Sequence, residues 1–422
     1  MDTAVYEELN RILRAELVPA LGCTEPIAIA FAAAKAREVL GTLPERMVAS
    51  CSGNIIKNVK SVIVPSTDGM KGISVSAIIG AVGGNAALKL EVLTQVTPEQ
   101  IAQARTLEEQ GICTVKLLED VPNLDIIIEM YAGEHSSLVE LRNSHVNIYR
   151  MEKDGETIYQ ADCADDEEAH EYDTSVLTLA NIKEYADTVD ISQIQDLLKQ
   201  QISCNLAIAH EGMARSYGAN VGKTILRHYG NHWEEMAAAY AAAGSDARMS
   251  GCSLPVVINS GSGNQGITAS VPVYIYAKNL RVDDEQMYRA LAFSNLAAIY
   301  QKQKLGKLSA YCGAVSAATG AGAAITYLSG GTLEQISNTI TNTIANVSGI
   351  VCDGAKPSCA AKVATSLNAA ITAHYMSIDN NVFQPGEGLV RETLEGTVSA
   401  YTTMGRVGMK ETDVAILNMM IA

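Results

Sequence analysis

The chain has 422 residues, 48% of them hydrophobic, and a formal net charge of −16. That length exceeds one ordinary core, so two domains are expected, and the hydrophobic share excludes general disorder. The acidity and the lack of any long Lys/Arg run exclude a nucleic-acid binder, which needs a basic surface.

Residues 3–18 carry apolar side chains at helical spacing (Val5, Leu9, Ile12, Leu13, Leu17), which predicts an amphipathic helix broken by Pro19 and Gly22. Cys23-Thr-Glu-Pro26 then opens a second, Ala-rich helix, with Pro26 in the first turn, where a missing N–H costs nothing. From about residue 46 the texture changes. Met47–Cys51, Ser61–Val64 and Ile73–Ile79 read as strands or strand–turn pieces. Gly83-Gly84 reads as a turn into a helix, and Thr97-Pro-Glu-Gln as a capped helix start. Thr114–Leu118, Asp125–Tyr131, Ser137–Arg142 and Val146–Lys153 read as strands, with a hairpin turn at Asp154-Gly155. The acidic run Cys163–His170 reads as a solvated loop.

Beyond about residue 174 the chain is helical, with helices predicted near 174–186, 191–213, 218–229, 232–243, 283–305, 308–328, 332–348, 357–377 and 388–402. With 3 Phe and 1 Trp, the core has to be built from Ala, Val, Ile, Leu and Met, whose small members allow close helix approach. Leu308–Gly331 is uncharged and long enough to span a bilayer. Its Gly/Ala/Ser/Thr content and missing aromatic belt predict a buried helix instead. The expected fold is α+β. Residues 1–45 are N-terminal helices packing on the helical domain, 46–165 a small α/β module, and 166–422 the large helical domain. The nine cysteines are spread too thinly for a disulfide scaffold, and the N-terminus has no basic n-region. Reduced thiols and a cytoplasmic location are therefore expected, with no membrane partner.

The chemistry concentrates in a few segments. Cys352-Asp-Gly-Ala-Lys-Pro-Ser-Cys359 can turn two thiolates toward one point, and Cys23 and Cys312 lie in similar small-residue settings. Iron–sulfur clusters take thiolate ligands, usually four. A cluster held by three leaves one iron open as a Lewis acid. The competing reading is four buried cysteines acting as small hydrophobes. Asn259-Ser-Gly-Ser-Gly-Asn-Gln-Gly266 can surround a carboxylate or phosphate with amides and small polar groups, so Ser260, Ser262, Asn264 and Gln265 are candidate substrate contacts, against an ordinary flexible loop. Asn54, Lys57 and Asn58 in Gly53–Asn58 are further candidates, against a surface turn. Ser245-Asp-Ala-Arg248 offers a guanidinium fork, against a helix cap with a surface salt bridge. Lys57 and His210 are the candidate bases, His210 against a hydrogen-bonded structural role.

Four of these segments together resemble one family. Pro19-Ala-Leu-Gly-Cys-Thr-Glu-Pro26, Ser260-Gly-Ser-Gly-Asn-Gln-Gly-Ile-Thr268, Leu308-Ser-Ala-Tyr-Cys312 and Val351–Cys359 are similar to the L-cysteine desulfidases, relatives of the α domain of iron–sulfur L-serine dehydratases. The resemblance implies a serine dehydratase α-like helical domain, a [4Fe-4S] cluster and no pyridoxal phosphate. The desulfidase pattern implies Cys23, Cys312 and Cys352 as ligands. The dehydratase pattern implies Cys312 with two cysteines of a C-D-P…C segment, which Cys352…Cys359 resembles with a shorter gap. The implied reaction takes L-cysteine to pyruvate, ammonia and hydrogen sulfide, with the substrate sulfur on the open iron. Dehydration of L-serine at the same site is the alternative. A pyridoxal-phosphate lyase using Lys57 and a non-catalytic helical scaffold represent other classes. The expected partners are a small-molecule substrate, L-cysteine, and a second copy of the chain in a homodimer.

Overall fold

The structure, a computed structural model, describes residues 1–161, 172–306 and 308–421. The acidic run Cys163–His170 and the expected boundary after residue 165 lie outside the described residues. Helix α1 (Thr3–Glu16) begins where Asp2 accepts the N–H groups of Ala4 and Val5, and it ends before Pro19. β1 (Pro19–Leu21) leads into α2 (Thr24–Leu40), which Gly41 closes at φ 87°. β2 (Arg46–Ser52) runs directly into α3 (Gly53–Val59), and α4 (Ile73–Gly83) follows. α5 (Pro98–Glu109) carries the reciprocal cap between Thr97 and Gln100. Then come β3 (Cys113–Leu118), β4 (Asp125–Ala132), β5 (His135–Arg142), β6 (Ile148–Lys153) and β7 (Glu156–Gln160). Asp154 at φ 52° and Gly155 at φ 82° make the tight β6–β7 turn.

The helical body comprises α6 (Leu179–Thr188), α7 (Gln195–Ala214), α8 (Val221–Tyr229) and α9 (Trp233–Met249). The strand β8 (Pro255–Val257) precedes α10 (Gly263–Leu280), α11 (Asp284–Leu305), α12 (Ala314–Leu328) and α13 (Leu333–Asn346). α14 (Cys359–Ile378), α15 (Leu394–Thr403) and α16 (Lys410–Ile421) end the chain. The fold is α+β, as expected.

The six-stranded sheet has the order β3-β2-β4-β5-β6-β7, and only β2–β3 is parallel. α1 packs on α6 and α11, where Tyr185 Oη donates to Asn10 Oδ1 at 2.6 Å. α2 behaves differently. It lies across β4 and β5, with Ser137 Oγ donating to the Ala36 carbonyl at 2.8 Å, so the two N-terminal helices serve different layers. α4 crosses α2 at Gly80, where a Cβ would stand 2.3 Å from the Ala30 carbonyl oxygen.

Some local expectations differ from the structure. Ile73–Ile79 is helix α4, not a strand; Gly83-Gly84 ends that helix and turns the chain into a short 3-10 helix over Ala86–Glu91, as the Ala/Leu-rich run after the glycines suggests. Ile73-Ser-Val-Ser-Ala77 alternates apolar and polar residues as a half-buried strand does, but Ser76 Oγ donates to the Gly72 carbonyl and Ser74 Oγ to Glu108, and packing on α2 and α5 decides for the helix. Ser61–Val64 contributes only an isolated bridge from Ile63 to Lys71. Gly53–Asn58 is not a surface turn but α3, with Lys57 and Asn58 buried. α10 and α16 were not predicted. Leu308–Gly331 contains the buried helix α12, and no helix among the described residues is long and apolar enough to cross a membrane.

A two-stranded stitch joins the N-terminal segment to the helical body. β1 pairs antiparallel with β8, Pro19 opposite Val257 and Leu21 opposite Pro255. α10 starts immediately behind β8, so closely that a Cβ on Gly266 would stand 2.0 Å from the Val257 carbonyl oxygen. Gly266→Ala is expected to lower stability by about 1–3 kcal/mol in denaturant unfolding, because the contact is with backbone that cannot yield. An unchanged midpoint would reject this account of the α10–β8 contact.

Candidate active site

Four long helices begin at one partly enclosed cavity. Cys23 is the N-cap of α2, Ser262 of α10, Gly313 of α12 and Ser358 of α14. The side chains of Cys23, Ser262 and Ser358 accept no hydrogen bond from their own helices, and Gly313 has no side chain to do so. Their positive ends therefore face the cavity uncapped, where they favour negative charge. The cavity wall contains Cys23, Cys312, Cys352 and Cys359, together with Glu25, Asn58, Arg248, Ser262, Asn264, Gln265 and Lys302.

Local backbone pairing sets the cysteines. Cys312 N–H donates to the Ile350 carbonyl and Cys352 N–H to the Ala310 carbonyl, both at 2.7 Å. With the Tyr311–Val351 bridge, this holds the segments bearing Cys312 and Cys352 side by side. Tyr311 is wedged by stacking on Tyr401, with ring centroids 5.5 Å apart. The turn to Cys359 needs Gly354. Its φ is 93°, and a Cβ there would stand 2.2 Å from the Lys57 carbonyl oxygen. Cys23 is delivered by the β1–β8 stitch, and Thr24 Oγ1 donates to the Gly261 carbonyl at 2.9 Å.

All four thiols are free. Burial pushes the Cys312 thiol up to about 12, with Cys352 and Cys359 adding to the effect. Burial likewise raises Cys359, and Cys352 adds to it while Lys362 and Lys356 oppose it. Cys23 is raised by burial and then by Glu25, whose Oε2 accepts its Sγ–H at 3.0 Å, with Arg248 opposing. Cys312, Cys352 and Cys359 thus sense one another, whereas Cys23 stands on the Glu25 side. Lys302 was not anticipated. It reaches the cavity from α11 at 3% exposure, and burial lowers its ammonium to about 8 against the opposing influence of Cys352 and Cys312.

The cavity collects only part of the anticipated set. Asn58 lines it and donates to Glu25 Oε1 at 3.3 Å; Ser262, Asn264 and Gln265 line it as the first residues of α10 and its cap. Ser260 is buried outside the lining and donates to Asn259 Oδ1. Asn54 bonds Asn123 Oδ1 at 3.0 Å. Lys57 does not line the cavity, and its Nζ pairs with Asp413 of α16 at 2.5 Å. His210 is exposed on α7, edge-on to Tyr240. Lys302 carried a sequence signal: Leu291, Asn295, Ala298, Lys302 and Leu305 repeat at helical spacing along one buried stripe.

Among the described residues, no three Cys, His, Asp or Glu side chains converge closely enough to share a single metal ion. A polynuclear cluster makes a different demand, since its thiolates bind separate irons. Several free thiols along one wall, with uncapped helix ends and buried cations nearby, fit that demand.

Fold and site together define an α+β domain whose helix N-termini gather cysteines around a charged cavity. The family model described as the serine dehydratase alpha chain matches residues 87–418, and the chain belongs to that dehydratase family. The matched region takes in Cys312, Cys352 and Cys359 and begins after Cys23. The chain is also similar along its whole length to proteins described as UPF0597 proteins. That of Lachnoclostridium phytofermentans is 53% identical over 417 residues, spanning 99% of this chain and 100% of that protein. Those of Desulfitobacterium hafniense and Finegoldia magna are each 47% identical, spanning 99% and 98% of this chain and 97% and 99% of their own length.

The Lys57–Asp413 pair ties α16 to α3, beside Asn58. Asp413→Ala leaves the Lys57 ammonium, 1% exposed, without its counter-charge. A loss of about 2–4 kcal/mol in unfolding is expected. Adding Lys57→Met should recover part of it, and a double variant no more stable than the single one would reject the pair's structural role.

Proposed function

We propose that the chain is an iron–sulfur L-cysteine desulfidase, converting L-cysteine and water to pyruvate, ammonia and hydrogen sulfide. The observation that carries this is that Cys23, Cys312, Cys352 and Cys359, from three distant parts of the sequence, line one cavity. Cys312 and Cys352 would hold a [4Fe-4S] cluster, with Cys23 or Cys359 as the third ligand. When bound, the cluster supplies an iron without a protein thiolate, a Lewis acid for the departing β-substituent. The protein's own groups supply the rest. Lys302 opens on the same cavity as the ligands and takes the Cα proton as general base. The helix N-termini stabilise the anionic groups that share the cavity. Buried walls limit water, which keeps the elimination separate from later hydrolysis of the released enamine.

A second reading, dehydration of L-serine, is favoured by the description of the matching family. The soft affinity of iron–sulfur sites for thiolates favours cysteine. Protein purified without oxygen is expected to carry iron and acid-labile sulfide, and to release sulfide and pyruvate in equal amounts from L-cysteine. Much faster turnover of L-serine would select the second reading. Failure to bind or reconstitute any cluster would reject both and leave a helical scaffold with structural cysteines.

Two sets of variants refine the test. Cys312→Ser and Cys352→Ser should each lose the cluster, and only one of Cys23→Ser and Cys359→Ser should do the same. Cluster retention in both of the latter would overturn a three-thiolate site. Lys302→Met should keep its iron while turnover falls by about 100-fold or more. Near-normal turnover would remove Lys302 from the role of base.

A further inference from the structure

Arg248 is 2% exposed on the last turn of α9 and lines the cavity. Its Nε donates to the Gly22 carbonyl at 2.8 Å. Among the described residues no carboxylate pairs with it, and its two terminal nitrogens have no hydrogen-bond partner. Asp246, two residues earlier, is directed elsewhere and accepts the Gly222 N–H at the start of α8. Gly263 makes room for the guanidinium, since a Cβ there would stand 2.4 Å from Arg248 Nε and 2.9 Å from Cζ. The fork is thus held by the Gly22 carbonyl and lies against the first turn of α10. A buried guanidinium without a protein counter-charge is costly, and its planar donors match a carboxylate.

Two acceptors stand in the same wall. The side-chain oxygens of Asn264 and Gln265 are buried without a hydrogen-bond partner. The Gln265 amide is pressed against Gly313, where a Cβ would meet its atoms at 2.4–2.7 Å. An unpartnered fork beside two unpartnered amide oxygens has the donor–acceptor pattern of a zwitterion. We propose that this wall is an α-amino-acid subsite: Arg248 binds the α-carboxylate, and the Asn264 and Gln265 oxygens receive the α-ammonium. The subsite selects substrates by their free carboxylate and free ammonium, whatever their β-substituent. It rests on the reading of this cavity as the active site of an amino-acid lyase.

L-Alanine has both groups and no leaving group, so it reports the subsite without turnover. In calorimetric titration of the cluster-loaded protein, L-alanine should bind at least about 10-fold more tightly than L-alaninamide, which lacks the carboxylate charge. Arg248→Met should abolish that preference, so that both bind equally weakly, and should raise KM for L-cysteine more than it lowers kcat. Gln265→Met, which leaves the Gly22 tether untouched, should weaken L-alanine about 10-fold while keeping the preference over the amide. Equal binding of acid and amide by the unaltered protein, or an undiminished preference in Arg248→Met, would overturn the proposal. Selective L-alanine binding without cysteine or serine turnover would uphold the subsite and overturn the elimination chemistry. Turnover without that selectivity would do the reverse.

Discussion

The site depends on one electrostatic constraint: four helices, α2, α10, α12 and α14, start at the same cavity with uncapped N-termini. Each end contributes about 0.3–1 kcal/mol toward holding an anion at its tip. Together they amount to a few kcal/mol, enough to offset part of the cost of one buried negative group but not of several. The buried cations Arg248 and Lys302 extend the same sign of potential, and among the described residues Glu25 is the one carboxylate in the cavity wall. Its Oε atoms are already engaged by Cys23, Thr24 and Asn58, which keeps it from neutralising the guanidinium.

Bringing four helix ends together demands close packing behind them, and composition supplies the means. With 3 Phe and 1 Trp in the chain, contacts between helices run through Ala and Gly. Gly320 lies against the Ser294 carbonyl and Gly322 against Ala370, each too close for a Cβ to fit without movement. Gly266 does the same between α10 and β8. A core of larger side chains would separate these axes and disperse the N-termini. The scarcity of aromatics therefore belongs to the site as much as to the core.

Much of this was legible where a residue's local chemistry and its final environment agree. The Thr97–Gln100 cap, the Asp154-Gly155 turn and the apolar stripe of α1 are local devices and read correctly. The four cysteines stood out because glycine, proline and small residues surround them, and all four reach the cavity. Ile73–Ile79 was misread because Ile-Ser-Val-Ser-Ala alternates like a strand although its serines are satisfied inside a helix, and the helix over Gly53–Asn58 was hidden because its polar residues among glycine look like a turn. α10 was hidden because its first turn is the Gly/Ser/Asn segment that reads as a loop. Lys57 attracted attention as a lysine among amides, yet its partner is Asp413, far along the chain. Lys302 drew none, because the Gln-Lys-Gln-Lys end of α11 looks solvated although alternate residues face opposite ways.

The antiparallel stitch between β1 and β8 has a consequence for how the protein is made. Cys23 and Cys359 lie 336 residues apart in the sequence, so Cys23 leaves the ribosome long before Cys359, yet both belong to one wall. β1 cannot find its partner strand until β8 has emerged, and the wall cannot close until α14 has followed. Contacts of such sequence separation form late in folding. A nascent chain that has not yet reached α14 would keep these thiols apart, so the cavity can form only after Cys359 has emerged.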